Sequence, residues 1–161
     1  MKTQVVEVEF MQAVRIIEIP DCKMVSSGIG MFGEEKFDRF GAWFSTLPQT
    51  VYPGDFLFFD GDEKTGTGGL HWLYLYDGHM NVPPEFAVIN FKGGLYAVAT
   101  DIDQQTDMDA MKSAVDLFLL KNGLKRDDSR KELGNIITSE KAKAVLGYCQ
   151  MDYYTPIEKG L

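Results

Sequence analysis

Residues 27–34 read Ser-Gly-Ile-Gly-Met-Phe-Gly-Glu and contain the spacing G-x-G-x-x-G. This stretch decides whether the chain has a dinucleotide-binding fold or a fold in which the glycines only form a turn. In a dinucleotide-binding fold, that spacing joins a buried strand to a helix whose N-terminus binds a pyrophosphate. Here the motif follows two serines, and Glu34 and Glu35 would place carboxylates where the pyrophosphate binds. Asp60, at the end of the next predicted strand, lies farther from the glycines than the acidic residue of that motif does. The stretch therefore predicts a turn between a strand and a helix, with no bound cofactor.

The segments on either side of this turn predict a pattern that occurs twice. Phenylalanines at intervals of three and four residues are typical of an amphipathic helix over 34–47. A second helix is indicated by Thr106 and Asp109, which resemble a capping box, and by Gly123 at its end. The other predicted segments are strands at 14–27, 56–60 and 70–76, an extended region at 86–101, and strands at 131–138 and 144–154. The order strand–helix–strand–strand thus occurs in two repeats, at about 11–78 and 84–158.

Two such repeats predict a single α+β domain over residues 1–161. Each repeat has too few elements to cover both faces of a sheet by itself. Joined with pseudo-twofold symmetry, the repeats form an antiparallel six-stranded sheet with two helices on one face. The opposite face is then either solvated or curved into a ligand cleft. Since the repeats already form an internal pseudo-dimer, the chain is expected to be a monomer or a weak dimer.

Composition excludes several classes of function. The chain has 24 acidic against 16 basic residues, a formal charge of −8, and no basic run, so a direct nucleic-acid partner is not expected. It has neither a signal peptide nor a membrane-length apolar stretch, which predicts a cytoplasmic protein with no membrane association. His71 and His79, like the two isolated cysteines, fit no common metal-ligand spacing, so no metal is expected.

The strand at 70–76 has one aromatic and one aliphatic side. Trp72, Tyr74 and Tyr76 alternate with Leu73 and Leu75. A helix is expected to cover the leucines, because Trp and Tyr carry polar atoms that need water, a partner or a ligand. The aromatic side is therefore either a half-exposed strand face or the wall of a ligand cleft.

Two further tyrosines are candidates for the same wall. The last predicted strand places Tyr148, Asp152 and Tyr154 on one side, so that a polar face again carries tyrosine. Tyr52 lies in a loop that either overhangs such a cleft or packs locally.

Glu132 is the candidate acidic residue, because it interrupts the strand at 131–138. If its face lines an aromatic concavity, a cation between the carboxylate and the rings gains both Coulomb and cation–π energy. The alternative is a solvated strand residue beside Arg130 and Lys131.

Taken together, the chain resembles the GyrI-like, or effector-binding, small-molecule domain of the SHS2 type over nearly its full length. The resemblance rests on the order of four segments: VRIIEIPDCKMVSSGIG at 14–30, FKGGLYAVATD at 91–101, KSAVDLFLLKNG at 112–123 followed by KEL, and MDYYTPIEK at 151–159. None of them is a catalytic signature.

The resemblance implies a cleft that binds a lipophilic aromatic or cationic small molecule, in drug or toxin sensing or in sequestration. The acidic ligand residue of the family falls on Glu132. The implied aromatic walls are Trp72, Tyr74 and Tyr148, with Tyr52 and Trp43 as further candidates. Related regulators of transcription carry a helix-turn-helix before this domain, and none precedes it here, so we expect no operator binding.

Two other functions known in the family remain open. Some stand-alone members resemble hydrolases that open cyclopropane-containing genotoxins; there Glu132 would act as general base and Tyr148 as a donor to the developing oxyanion. A third reading is a protein-binding inhibitor of gyrase, with gyrase or a regulator as partner, for which the scattered acidic charge gives little support.

Overall fold

The computed structural model describes residues 13–62, 65 and 67–160, and those residues form nine strands and three helices. In chain order the elements are β1 (Arg15–Ile19), β2 (Cys22–Gly30), α1 (Glu35–Phe44), β3 (Asp55–Asp62), β4 (Thr67–Leu75), β5 (Ala87–Phe91), β6 (Gly94–Ile102), α2 (Met108–Lys121), β7 (Leu124–Arg126), β8 (Leu133–Ile136), α3 (Glu140–Leu146) and β9 (Gln150–Lys159). The α+β class with antiparallel strands is confirmed. Within this part of the chain, none of the helices is long and apolar enough to cross a membrane.

The chain divides into two compact units. Unit 1 comprises Met1–Ile19 and Gly94–Leu161, and unit 2 comprises Pro20–Gly93. In unit 2 the strands pair in the order β3-β4-β2-β5, and α1 packs on β2 and β4. In unit 1 the order is β1-β6-β9-β8, β7 also pairs with β9, and α2 packs on β6 and β7. All of these pairs are antiparallel, so each unit combines an antiparallel sheet with a helix packed on it.

The predicted order strand–helix–strand–strand is present in β2-α1-β3-β4. It occurs again in β6-α2-β8-β9, where the short strand β7 follows α2 and the helix α3 separates β8 from β9. The strand count exceeds six because the predicted segments at 14–27 and 86–101 each form two strands, and because the short strand β7 was not predicted. Pro20, which has no N–H to donate to a ladder, separates β1 from β2. Asp21 accepts a hydrogen bond from Gly93 N at 2.8 Å, where β5 gives way to β6. The beginning of the first predicted repeat, residues 11 and 12, lies outside the described residues.

The C-terminal region differs from the prediction, which had an extended segment at 144–154. Residues 140–146 instead form α3, so that the last strand begins at Gln150. Ser139 caps this helix by accepting a hydrogen bond from Ala142 N at 3.1 Å, and Gly147 ends it in the left-handed conformation at φ 81°. Both are standard helix boundary signals.

The turn at 27–34 is confirmed as the connection between a strand and a helix. β2 ends at Gly30, where a Cβ would lie only 2.8 Å from the Phe37 ring. Gly33 adopts φ 99° just before α1. The next strands, β3 and β4, form an antiparallel hairpin, whereas a dinucleotide-binding unit needs a parallel crossover.

The two helices bury different kinds of side chain. On α1, Phe37 and Phe40 are fully buried. On α2, Val115 and Leu119 pack on the small residues of β6, whose lack of bulk lets the helix lie close to the sheet. The predicted capping residue of α2 is wrong by one position, since Asp107 accepts from Ala110 N at 3.0 Å. Thr106 instead donates to Ile102 O at 3.0 Å.

Candidate functional site

The aromatic side of β4 packs under helix α1, contrary to the expectation that a helix covers the leucines. The Phe44 ring stacks on Tyr74 at 5.0 Å between centroids, and it meets Trp72 edge-on at 5.1 Å. Phe40 lies 5.6 Å from Trp72. On the opposite side of the strand Leu73 is fully buried. Trp72 and Tyr74 are therefore part of the core beneath α1.

Asp55 explains how the polar atoms of this core are satisfied. Its Oδ2 accepts a hydrogen bond from Trp72 Nε1 at 3.0 Å. Burial raises the pKa of the Asp55 carboxyl, and the hydrogen bond from Trp72 partly opposes that rise. Burial also raises the pKa of Tyr74, with the charges of Asp55 and Asp77 adding to the effect. The sequence reasoning missed Asp55, although it stands two residues before Leu57, the register partner of Trp72.

The other two candidate aromatic residues of unit 2 have separate environments. Trp43, on α1, joins the same core, since its ring lies 6.0 Å from Tyr74 and its Nε1 donates to Asn81 O at 3.0 Å. Tyr52 lies in the loop before β3 with 71% of its surface exposed, and Thr50 donates a hydrogen bond to its backbone carbonyl. The structure therefore groups Trp43 with Trp72 and Tyr74 and leaves the Tyr52 side chain at the surface.

Glu132 is not a buried acid. It precedes β8, and its side chain is 68% exposed. Its Oε1 lies 3.1 Å from Nη1 of Arg126, which also binds Asp116 at 2.9 Å through Nε. Of the two alternatives left open by the sequence, the structure has the solvated one, with Glu132 exposed and ion-paired, and the buried acid that the resemblance implied is corrected. The strand begins at Leu133, two residues later than the sequence pattern suggested. Whether Glu132 takes part in binding stays a prediction.

Tyr148 lies in the connection between α3 and β9 and is half-buried. It was expected on the last strand, on the same side as Asp152 and Tyr154. The strand starts only at Gln150, because residues 140–146 are helical. Asp152 and Tyr154 do share one side of β9, as predicted.

The face of unit 1 opposite α2 carries a buried polar group. Ala97 and Ala99 contact α2, so Val98 and Thr100, which alternate with them, point to the other side of the sheet. Strand pairing places further residues on that side. They are Arg15 on β1, Asp152 and Tyr154 on β9, and Leu133 and Asn135 on β8. We refer to Arg15, Thr100, Asn135 and Asp152 as the polar cluster.

Asp152 is the centre of the polar cluster and is only 2% exposed. Arg15 Nη2 lies 2.8 Å from Asp152 Oδ2, and Thr100 donates to Oδ1 at 2.5 Å. Arg15 Nη1 also donates to Thr100 Oγ1 at 3.1 Å. The carboxylate is therefore balanced by one guanidinium, whose side chain remains 47% exposed. A buried charge persists in a fold when it is paired and hydrogen-bonded in this way.

Asn135 is the register partner of Asp152 and is 3% exposed. Within the described part of the chain, its buried Oδ1 accepts no hydrogen bond. Such an atom calls for an explanation, since native structures leave few buried polar atoms without a partner. Leu133 and Tyr154 on the same face are also buried. The polar cluster thus combines apolar neighbours with an acceptor oxygen that has no donor among residues 13–62, 65 and 67–160. The sequence pattern contained no signal for Asn135.

Comparison with solved structures finds this fold in other proteins. The C-terminal domain of EcmrR matches with a TM-score of 0.62 and 12% identity, over 91% of this chain and 98% of that domain. A hydrolase from Listeria innocua, encoded by lin2189, matches with a TM-score of 0.64 and 13% identity, over 96% of this chain and 98% of the other. SAV2435 bound to tetraphenylphosphonium matches with a TM-score of 0.50 and 8% identity, over 91% and 94%.

These likenesses show the fold, which is the one the resemblance to GyrI-like effector-binding domains implied. The chain spans 62% of the EcmrR chain in its complex with DNA. No protein-family model and no curated protein matches the sequence. The assignment of a function therefore depends on the residues of this chain.

Proposed function

We propose that this protein binds bulky aromatic small molecules, cationic ones among them, and that the polar cluster of unit 1 receives their polar group. The observation that carries this proposal is the buried Oδ1 of Asn135, to which none of the described residues donates, beside the buried Asp152 carboxylate. The fold adds support, because SAV2435 has it and was solved with tetraphenylphosphonium.

The charges of the polar cluster indicate how a ligand is held there. Arg15 balances Asp152, so the cluster as a whole attracts a bare cation only weakly. A ligand N–H or O–H would instead pair with Asn135, and an acceptor left without a donor costs about 1–3 kcal/mol. We therefore expect a cation that carries N–H groups, such as rhodamine 6G, to bind more tightly than tetraphenylphosphonium, which has none.

Isothermal titration with these two compounds tests the proposal. Replacing Asn135 by Leu removes the acceptor and should weaken rhodamine 6G about fivefold or more. The same change should leave the free energy of unfolding equal or higher, because it removes an unsatisfied buried group of similar size. Loss of binding together with unchanged stability distinguishes a ligand role from a folding defect.

Glu132→Gln is the matched control, since Glu132 is the acidic residue that the resemblance singled out and is exposed. The proposal expects its affinity for rhodamine 6G to equal that of the wild type. The proposal that the polar cluster receives the ligand would be wrong if Glu132→Gln weakened the binding of rhodamine 6G while Asn135→Leu did not. Absence of binding by a broad panel of lipophilic dyes would count against small-molecule binding altogether.

A hydrolase is the second candidate, favoured by the hydrolases from Listeria innocua that share the fold. Water would open a cyclopropane ring, with one ring C–C bond broken, a C–OH bond formed, and the remaining proton added to the ring carbon that leaves. Glu132 would take the proton of the attacking water and Tyr148 would donate to the developing oxyanion. Mass analysis of a cyclopropane-containing alkylator after incubation should then reveal a product heavier by one water, and Glu132→Ala should abolish it.

A further inference from the structure

Helix α2 carries large apolar side chains on two opposite sides. Val115 and Leu119 face the sheet, and each is 3% exposed. Leu117 and Leu120 fall on the outer side, because successive residues of a helix turn by about 100°, and they are 52% and 78% exposed. The outer side of a helix packed on a sheet is ordinarily polar. Two adjoining exposed leucines therefore mark this side of α2 as a candidate contact surface.

Helix α1 has the corresponding place in unit 2, and its outer side is different. Its exposed residues are Glu35, Asp38, Arg39 and Ala42, three of which are charged. Arg39 is ion-paired to Glu35 at 2.7 Å and to Glu85 at 3.1 Å. A charged outer side is thus compatible with packing a helix on the sheet of this fold. The leucines of α2 are not required by that packing, and they indicate a partner on their side of the helix.

The outer side of α2 is complementary to itself when two copies run antiparallel. Four exposed residues follow one another at intervals of three, four and three, and we call them the α2 seam: Ala110, Ser113, Leu117 and Leu120. The small residues lie in the N-terminal half and the leucines in the C-terminal half. About a twofold axis near Val115, Leu117 lies against Ser113 of the second copy, and Leu120 lies against Ala110 of the second copy. Large side chains thereby meet small ones on both sides of the axis, so the two helices can approach closely.

The charges at the ends of α2 favour the same arrangement. Asp107 caps the helix, Asp109 lies in its first turn and Lys121 lies in its last turn, and all three are exposed. Antiparallel packing places the acidic N-terminal end of one helix beside the basic C-terminal end of the other. The two helix dipoles are then also opposed. A parallel arrangement would bring like charges together at both ends, so the charges select the antiparallel pair.

We propose that the α2 seam packs against the α2 seam of a second copy of this chain, so that the protein forms a symmetric dimer. The helix has 14 residues and is about 21 Å long, which is short for an interface of the usual 1,200–2,000 Å², about the size that stable complexes bury. The dimer should therefore be weak and should form at high protein concentration. The seam faces away from the sheet, whereas the polar cluster lies on the sheet face opposite α2, so dimerisation does not depend on ligand binding.

Sedimentation velocity of the full chain, from about 10 μM to about 1 mM, tests the proposal. The average mass of the wild type should rise with concentration towards that of a dimer. Leu117→Glu should raise the dissociation constant at least about tenfold, because the contact would bury a carboxylate without a counter-charge. It should leave the urea midpoint unchanged, since Leu117 is exposed in the monomer. Val145→Glu is the matched control: Val145 lies on α3 and is 87% exposed, so this variant should dimerise like the wild type.

Cysteine crosslinking tests the antiparallel direction, in chains whose Cys22 and Cys149 are replaced by serine. A mixture of Ala110→Cys and Leu120→Cys should form the mixed disulfide. Ala110→Cys should not link to itself, because the two copies of that position would lie about 15 Å apart along the helix axes. The proposal is overturned if the wild type stays monomeric at about 1 mM, which would leave the seam to a different partner. It is also overturned if Leu117→Glu dimerises as readily as Val145→Glu, or if Ala110→Cys links to itself in preference to Leu120→Cys.

Discussion

The ion pair between Arg15 and Asp152 supports a quantitative prediction, because one partner is fully buried and the other is half-exposed. At an effective dielectric constant of about 20 and a charge separation of about 4 Å, the attraction is about 4 kcal/mol. Part of it is offset by the desolvation of Asp152, so the net loss in Arg15→Met is smaller. We expect Arg15→Met to lower the free energy of unfolding by about 2–3 kcal/mol, because it leaves the buried Asp152 carboxylate with Thr100 as its side-chain partner among the described residues.

The coupling between the two residues is best measured with a double-mutant cycle. Asp152→Asn keeps the shape of the side chain and removes the buried charge, so it should cost about 1–2 kcal/mol. The double variant has no buried Asp152 charge left without its arginine. Its loss of unfolding free energy should therefore be smaller than the sum of the two single losses by about 1–2 kcal/mol. Urea denaturation followed by circular dichroism measures the free energy of unfolding of all four proteins. An unchanged slope of that free energy against urea concentration shows that the variants unfold in the same way as the wild type.

Additive losses would refute the reasoning, because they would mean that Arg15 does not balance the Asp152 charge. The polar cluster would then carry a net negative charge. In that case the preference of the proposed site for N–H donors over bare cations would lose its physical basis.

Three further predictions concern the rest of the fold. Asp55→Asn should make the protein more stable at pH 7, because the folded-state pKa of Asp55 is raised. The stability that protonated Asp55 contributes is fully present below its ordinary pKa near 3.8 and is lost as the pH rises through the folded-state pKa. The stability gained by Asp55→Asn should therefore disappear in denaturation curves measured below pH 3.8. Phe40→Ala should cost about 3–5 kcal/mol in urea denaturation because Phe40 is fully buried among rings, and a loss below about 1 kcal/mol would contradict its place in the core. Ser139→Ala should remove the cap of α3 at a cost of about 0.5–2 kcal/mol, seen as faster amide exchange of residues 140–146, whereas unchanged exchange would argue against the cap.

Much of the fold could be predicted from local patterns. The turn at 27–34, the helices beginning near Glu35 and Met108, and the hairpin of β3 and β4 all follow from hydrophobic period, turn residues and helix boundaries. The break at Pro20 was visible for the same kind of reason. Helix α3 was missed although its signals, Ser139 and Gly147, are local; the apolar residues at 144–146 were instead assigned to the following strand.

The candidate site could be predicted only in part. Period two correctly placed Trp72 with Tyr74, and Asp152 with Tyr154, on common sides of their strands. It could not tell which side a helix covers. The indole N–H of Trp72 was expected to need water, a partner or a ligand, and the structure supplies a partner, Asp55, inside the core.

The sequence by itself therefore determined the class of fold and which residues lie on the same side of a strand or helix. Both depend on backbone geometry that repeats every two or every 3.6 residues. The tertiary structure alone decided which acid is buried. Glu132 is exposed beside Arg126, while Asp152 is enclosed with Arg15 and Asn135, from distant strands. Burial of a carboxylate depends on partners that pairing brings together from far along the chain, and no local pattern contains that information.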